Sequence, residues 1–396
     1  MKSSKTAVVW PSIAICLFCM GVCVATGMAD PRNPDTDWMV GKVGAFMHFL
    51  PSVEEHEKRI GDFDVNGLRD QLVHMGVDYF IFTLGQNNNV YTADNAMYRK
   101  LMGTDAVTRF SRRDLPKEII ASLKGTGIRF GLYSPCQPSF GDEAAERAFG
   151  FERLHPDRRG DWRMTDRGAA NWARVVGEWA ERYGEDVAIW WFDGGRPDMG
   201  FCEAYGRQFR DALRRGNPKM VVSFNYGLLD WAMATGRAYG LRCEDDPSFP
   251  EKVRFREFRE KFEGMAPPAE KRDADDPMKW TGGRLERVEM VQWLACADYT
   301  PGEVAEPFRF MPEGRWFNDN QYHVLTYLGH YWGERHCRYP DEIWIKYLKR
   351  YLAKGGCISF DLSIDRKDKS GRFVDDHVNQ MRRMLRAVRN RQVPVD

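Results

Sequence analysis

Short apolar runs alternate with amphipathic stretches from about residue 43 onward. VGAFMHF (43–49), YFIFTL (79–84), RFGLYS (129–134), VAIWWFD (187–193), MVVSFNY (220–226) and CISFDLSI (357–364) read as strands. They are nearly continuous in apolar character, the pattern of strands covered on both faces. YGLRCED (239–245) reads as a further strand, and one more is expected between residues 290 and 328, where MVQWLACA and QYHVLTYLG compete for it. Between the runs lie helical patterns. Trp172, Val175, Val176, Trp179, Ala180 and Tyr183 recur at three- and four-residue steps, so they form one stripe that should pack on the sheet. Asp64 and Asp114 stand where helix N-caps belong, with Pro116 in the first turn after Asp114. Gly76, Gly125, Gly127, Gly355 and Gly356 mark helix exits.

Strand–helix alternation predicts an α/β protein with a parallel sheet, either open and doubly wound or closed as a barrel. No glycine-rich phosphate loop follows the first strand, as a dinucleotide-binding sheet would carry. Polar residues instead stand at the carboxyl ends of successive strands: His48, Gln86, Asn87, Asn88, Tyr133, Asp193, Asn225, Glu244 and Asp361. A (β/α)8 barrel gathers those ends on one face, where its active site sits. The expected architecture is therefore a single TIM-type barrel over residues 30–390. The charged stretch 250–288, interrupted by APPAEKRDADDP, reads as an inserted loop or lid, or more plainly as a solvated surface excursion.

The amino terminus departs from this pattern. Lys2 and Lys5 precede AVVWPSIAICLFCMGVCVA, and TGMAD offers small residues at Gly27 and Ala29, so residues 1–29 read as a signal peptide cleaved after Ala29. The competing reading is an uncleaved anchor, since Ala7 to Ala25 nearly spans a bilayer. Export to the periplasm or the extracellular space is the expectation, with no membrane span after cleavage. Loss of two lysines and no acid turns the formal charge from +1 to −1, which argues against a nucleic-acid partner. The remaining cysteines, Cys136, Cys202, Cys243, Cys296, Cys337 and Cys357, show no metal-type spacing. His330 and His336 lack the spacing of a ligand pair, and neither a metal nor a cofactor is implied.

The candidate chemistry centres on AIWWFDGG (188–195), where an apolar strand ends on Asp193. A carboxylate at the edge of a core is costly unless it is bonded or functional. A helix N-cap or a buried ion pair is the structural alternative to a catalytic role.

Several stretches resemble the α-L-fucosidase family, glycoside hydrolase family 29. WMVGKVGAFMHF is similar to the family's first strand, FDVNGLRDQLVHMGVDYFIFTL to the helix and strand that follow, and RFGLYS to the third strand. WAERYGEDVAIWWFDGG resembles the helix leading into its Trp-Phe-Asp-Gly motif, and YLAKGGCISFDLSID its last strand. The resemblance implies a retaining glycosidase acting on a terminal α-L-fucose or a related sugar. It implies Asp193 as nucleophile, His48 as a sugar-binding histidine, and Tyr133 and Trp191 as pocket residues. Two departures are plain. Where the family carries His-His-Asp-Gly-Phe, this chain has GQNNNVY (85–91), so Gln86, Asn87 and Asn88 would take over hydroxyl recognition. The β-sandwich that members commonly carry after the barrel is not expected within these 396 residues.

Retaining hydrolysis needs a second carboxyl group as acid/base. Glu244, the first acid after the 239–245 run, is the choice from sequence, with Glu203, Asp319 and Asp361 in reserve. Of the tryptophans at 162, 190, 191, 231, 293, 316 and 332, most belong in cores. Strand alternation puts Trp191 beside Asp193 and Trp190 on the other face, and Trp332 is a candidate for the pocket rim. A glycosidase for a different sugar, or a carbohydrate-binding barrel without catalysis, are the alternatives.

Overall fold

The computed structural model describes residues 33–86, 88–103, 109–138, 142–153, 162–195, 199–225, 271–272, 280–281, 295–304, 307–309, 311–317, 319–365 and 370–390. Seven strands among them form one parallel sheet: β1 (Val43–Met47), β2 (Tyr79–Thr83), β3 (Arg129–Pro135), β4 (Val187–Asp193), β5 (Val221–Asn225), β6 (His323–Tyr327) and β7 (Cys357–Asp361). Their order is β6-β7-β1-β2-β3-β4-β5, which is chain order around a circle cut once, between β5 and β6.

The sheet curls. β1 and β4 are three spacings apart, about 14 Å in a flat sheet. Yet the rings of Phe46 on β1 and Trp191 on β4 meet at 5.8 Å between centroids. The concave face thus closes on its own core of Phe46, Tyr79, Ile81, Tyr133, Ile189, Trp191, Val221 and Leu325. The convex face packs against helices α1 (Val65–Met75), α2 (Leu115–Leu123), α3 (Asp166–Tyr183), α4 (Glu203–Arg214), α5 (Asp341–Ala353) and α6 (Asp375–Arg389). Burial on both faces explains why the strands read as unbroken apolar runs.

Local signals decide the helices. Asp64 Oδ1 accepts from Gly67 N at 2.8 Å and Asp114 Oδ1 from Lys117 N at 3.0 Å, capping α1 and α2. All six stripe residues of α3 are buried. Of the two runs that competed for a strand between 290 and 328, QYHVLTYLG supplies β6, whereas Ala295–Ala297, the described end of MVQWLACA, lies in a turn and the residue after it. The strand expected at 239–245 lies outside the described residues. So does most of 250–288, apart from Lys271–Arg272 paired antiparallel with Trp280–Thr281.

The cut between β5 and β6 is spanned by residues 298–304, which are not a regular strand. Asp298 N donates to Val222 O at 2.8 Å, and Asp298 Oδ2 accepts from Val222 N at 2.9 Å. On the other side Leu325 N donates to Gly302 O at 2.7 Å and Val304 N to Leu325 O at 2.9 Å. Asp298 is fully buried, which raises its pKa, and the Arg210 guanidinium at 2.6 Å opposes that rise. No described helix is long and apolar enough to cross a membrane.

Candidate active site

The carboxyl ends of β1, β3, β4 and β7 open into a cleft of about 730 Å³. Asp193, the last residue of β4, stands beside Asn225, the last of β5, in the parallel register. That register fixes the chemistry. Asp193 Oδ1 accepts from Asn225 Nδ2 at 3.0 Å and from Gly194 N at 3.0 Å, and Oδ2 accepts from the Tyr133 hydroxyl at 2.7 Å. Three donors on three backbone positions orient the carboxylate. Gly194, with φ +79°, then turns the chain away in a conformation that L side chains rarely adopt.

Asn225 Nδ2 also donates to Glu303 Oε2. Two bonds through one nitrogen hold the two carboxylate oxygens no more than about 5.5 Å apart. Burial, and after it the negative charge of Asp193, push the Glu303 carboxyl up to about 7. Glu303 reaches this place because Gly302, at φ +61°, lets its backbone approach β6 so closely that a Cβ would stand 2.1 Å from His323 O.

Opposite this pair, His48 Nδ1 meets Asp361 Oδ1 at 2.7 Å, and Asp361 Oδ2 accepts from Gly333 N at 3.1 Å. Burial lowers the His48 pKa, but the bonded Asp361 carboxylate, with lesser help from Asp193 and Glu303, raises it overall. Tyr133 is pushed well above the usual phenol range by burial and then by Asp193, so it remains a donor to that carboxylate. Its hydroxyl in turn accepts from Gln86 Nε2 at 2.6 Å. Trp191 stacks on Tyr133 with centroids 5.2 Å apart, and its Nε1 donates to Pro301 O at 3.2 Å. Trp332 stands edge-on to His48 at 5.6 Å.

Of the residues singled out from sequence, the structure brings His48, Gln86, Tyr133, Trp191, Asp193 and Trp332 to one cleft. Asn88 is not among the residues lining it and donates to Pro51 O at 2.8 Å. Asn87 and Glu244 lie outside the described residues. Trp190 faces the helices, stacked on Phe192 at 5.9 Å. Among the reserve acids, Asp361 lines the cleft, whereas Glu203 belongs to α4, where it pairs with Arg207 at 2.6 Å. Glu303 was not foreseen. Its only local mark is the turn-like Pro301-Gly302 before an acid, and nothing in periodicity ties that turn to β5. Among the described residues no group of three or more His, Cys, Asp or Glu side chains could hold a metal ion.

No protein-family model matches this chain, and no curated protein matches it. Its fold has solved counterparts. An endo-fucoidan hydrolase of glycoside hydrolase family 107, P5AFcnA, superposes with a TM-score of 0.58 at 14% identity over 90% of this chain and 93% of that one. α-L-Fucosidase isoenzyme 1 from Paenibacillus thiaminolyticus gives 0.53 at 15% identity, over 89% of this chain and 75% of its own. The α-L-fucosidase AlfC from Lactobacillus casei, solved with α-L-fucose product, gives 0.51 at 13%, over 88% and 96%. At such identities the likeness is one of fold.

Proposed function

We propose that this protein is an exported retaining glycoside hydrolase cleaving a terminal α-L-fucose or a stereochemically related sugar, with Asp193 as nucleophile and Glu303 as acid/base. The observation that carries the reading is the shared Asn225 amide. It holds two carboxylate oxygens no farther apart than the carboxyl groups of retaining glycosidases stand, and one of the two groups has its pKa raised to about 7. The sugar is argued from the likeness of fold to proteins named for fucose and fucoidan, and export from the amino-terminal pattern. The sheet is read as a (β/α)8-type barrel in which residues 298–304 take the eighth position.

In the first step Asp193 attacks the anomeric carbon. The glycosidic C–O bond breaks, and the leaving oxygen takes the proton of Glu303. The ester that forms removes the charge of Asp193, one of the two main causes that kept Glu303 protonated. Glu303 is then fit to act as base. It takes a proton from water as that water attacks the anomeric carbon, the ester C–O bond breaks, and both carboxyl groups return to their starting states. His48, Gln86 and Trp332 surround the space left for the sugar, where they offer polar atoms and an aromatic face.

The test is turnover of an aryl α-L-fucoside beside α-galactoside and β-glucoside controls. Glu303→Gln should lower kcat by about 10²- to 10⁴-fold on a poor leaving group. Asp193→Asn should abolish turnover. Undiminished turnover in Asp193→Asn would remove the proposed nucleophile, and sugar binding without turnover by the wild type would favour a carbohydrate-binding barrel.

A further inference from the structure

We infer that the outer end of the cleft is an anion subsite centred on Arg59. It would take an acidic sugar, bearing a carboxylate or a sulfate ester, on the leaving-group side of the bond. This rests on the glycosidase reading for its place in catalysis, though not for its existence.

The cleft is asymmetric in charge. Asp193, Glu303 and Asp361 crowd its inner part, where a negative substituent would be repelled. The rim is built by Leu50, just after β1, by Arg59 on the short helix His56–Gly61 that follows, and by Tyr331 in the loop after β6. Arg59 is half-buried beside the ring of Phe49, 5.6 Å from its centroid. Its Nε is buried with no hydrogen-bond partner, and no carboxylate among the described residues lies within ion-pair distance of it. Arg113, Arg182 and Arg315 each hold an acidic partner at 3.3 Å or less, and Arg210, whose Nε is likewise unpartnered, still reaches Asp298 at 2.6 Å.

An Nε withdrawn from water without an acceptor is unfavourable by itself, so the position has an acceptor to gain from a ligand. Its planar fork matches the paired oxygens of a carboxylate or a sulfate. Glu55 also lines the rim, where it is exposed to solvent. Tyr331, 62% exposed, and Leu50, 37% exposed, flank the same opening and offer apolar surface to the face of the sugar ring that carries the anion.

The experiment is calorimetric titration of the intact protein with glucose, glucuronic acid and glucose 6-sulfate, three sugars that differ only at C6. It needs no turnover, so its failure and the failure of the glycosidase reading are separate results. The expected result is that at least one of the two acids binds about tenfold or more tightly than glucose, and that this preference shrinks at high salt. In Arg59→Gln the ratio of acid to neutral affinity should fall to about one, and in Arg59→Lys it should keep an intermediate value. The acid that wins identifies the substituent. Equal binding of all three sugars, no binding of any, or an unchanged ratio in Arg59→Gln would overturn the inference.

Discussion

Glu303 shows what a single residue's surroundings can do to its chemistry. Burial and the Asp193 charge hold its proton to about 7, whereas a free glutamate loses it near 4.5. The proposed general acid is therefore protonated below about pH 7 and lost above it, so kcat/KM should fall along an alkaline limb set by Glu303. Glu303→Asp should shift and weaken that limb, and Glu303→Gln should abolish it, read from pH–rate profiles. His48 acts differently. Its bond to Asp361 orients the ring toward the cleft, and Asp361→Asn would leave that orientation without its charge partner. KM should rise about tenfold or more in Asp361→Asn with a smaller change in kcat, if His48 binds a sugar hydroxyl as proposed and takes no part in bond cleavage.

At the scale of elements, what the sequence pattern revealed and what it hid follow one physical division. Asp193 was legible because a strand, its terminal acid and the glycines after it are contiguous, and the caps of α1 and α2 were legible because a cap is a contact across three residues. Glu303 was not, because an irregular segment delivers it through backbone bonds to Val222 and Leu325, partners set by tertiary register. The ambiguity over β6 has the same origin, for two apolar runs of similar character were available and only packing chose between them. Gly302 carries the consequence. Gly302→Ala combines an unfavourable φ with a clash against the backbone of β6, so it should destabilise the fold by about 2 kcal/mol or more and lower kcat as Glu303 is displaced. Gly314→Ala, with nothing within 4 Å of its Cβ, should leave thermal stability within about 1 °C. Asp114 serves two elements at once. It caps α2 and accepts from the Tyr183 hydroxyl of α3 at 2.8 Å, so Asp114→Ala should cost about 2 kcal/mol, above a typical cap, by denaturant unfolding.

For the molecule as a whole, the inner site is a source of instability that the two apolar cores offset. Glu303 binds its proton more tightly folded than unfolded, so between about pH 4.5 and 7 the native state holds more protons and stability falls as pH rises. Glu303→Gln removes that slope. Its unfolding free energy should match the wild type's near pH 4.5 and exceed it at pH 8 by on the order of 2 kcal/mol, read from denaturant unfolding at the two pH values. The (β/α)8 expectation accounts for seven parallel strands in circular order, and the strand ends gather polar side chains as it requires. The proposed function depends above all on a covalent bond between sugar and Asp193. A 2-deoxy-2-fluoro-α-L-fucosyl fluoride should form that bond and break it slowly, because fluorine disfavours the positive charge that develops in both transition states. Intact-mass and peptide mass spectrometry after incubation should find one added fluorosugar on the peptide that contains Asp193, absent in Asp193→Asn. An adduct on any other residue, or turnover of aryl α-L-fucoside with inverted configuration and no adduct, would contradict the account.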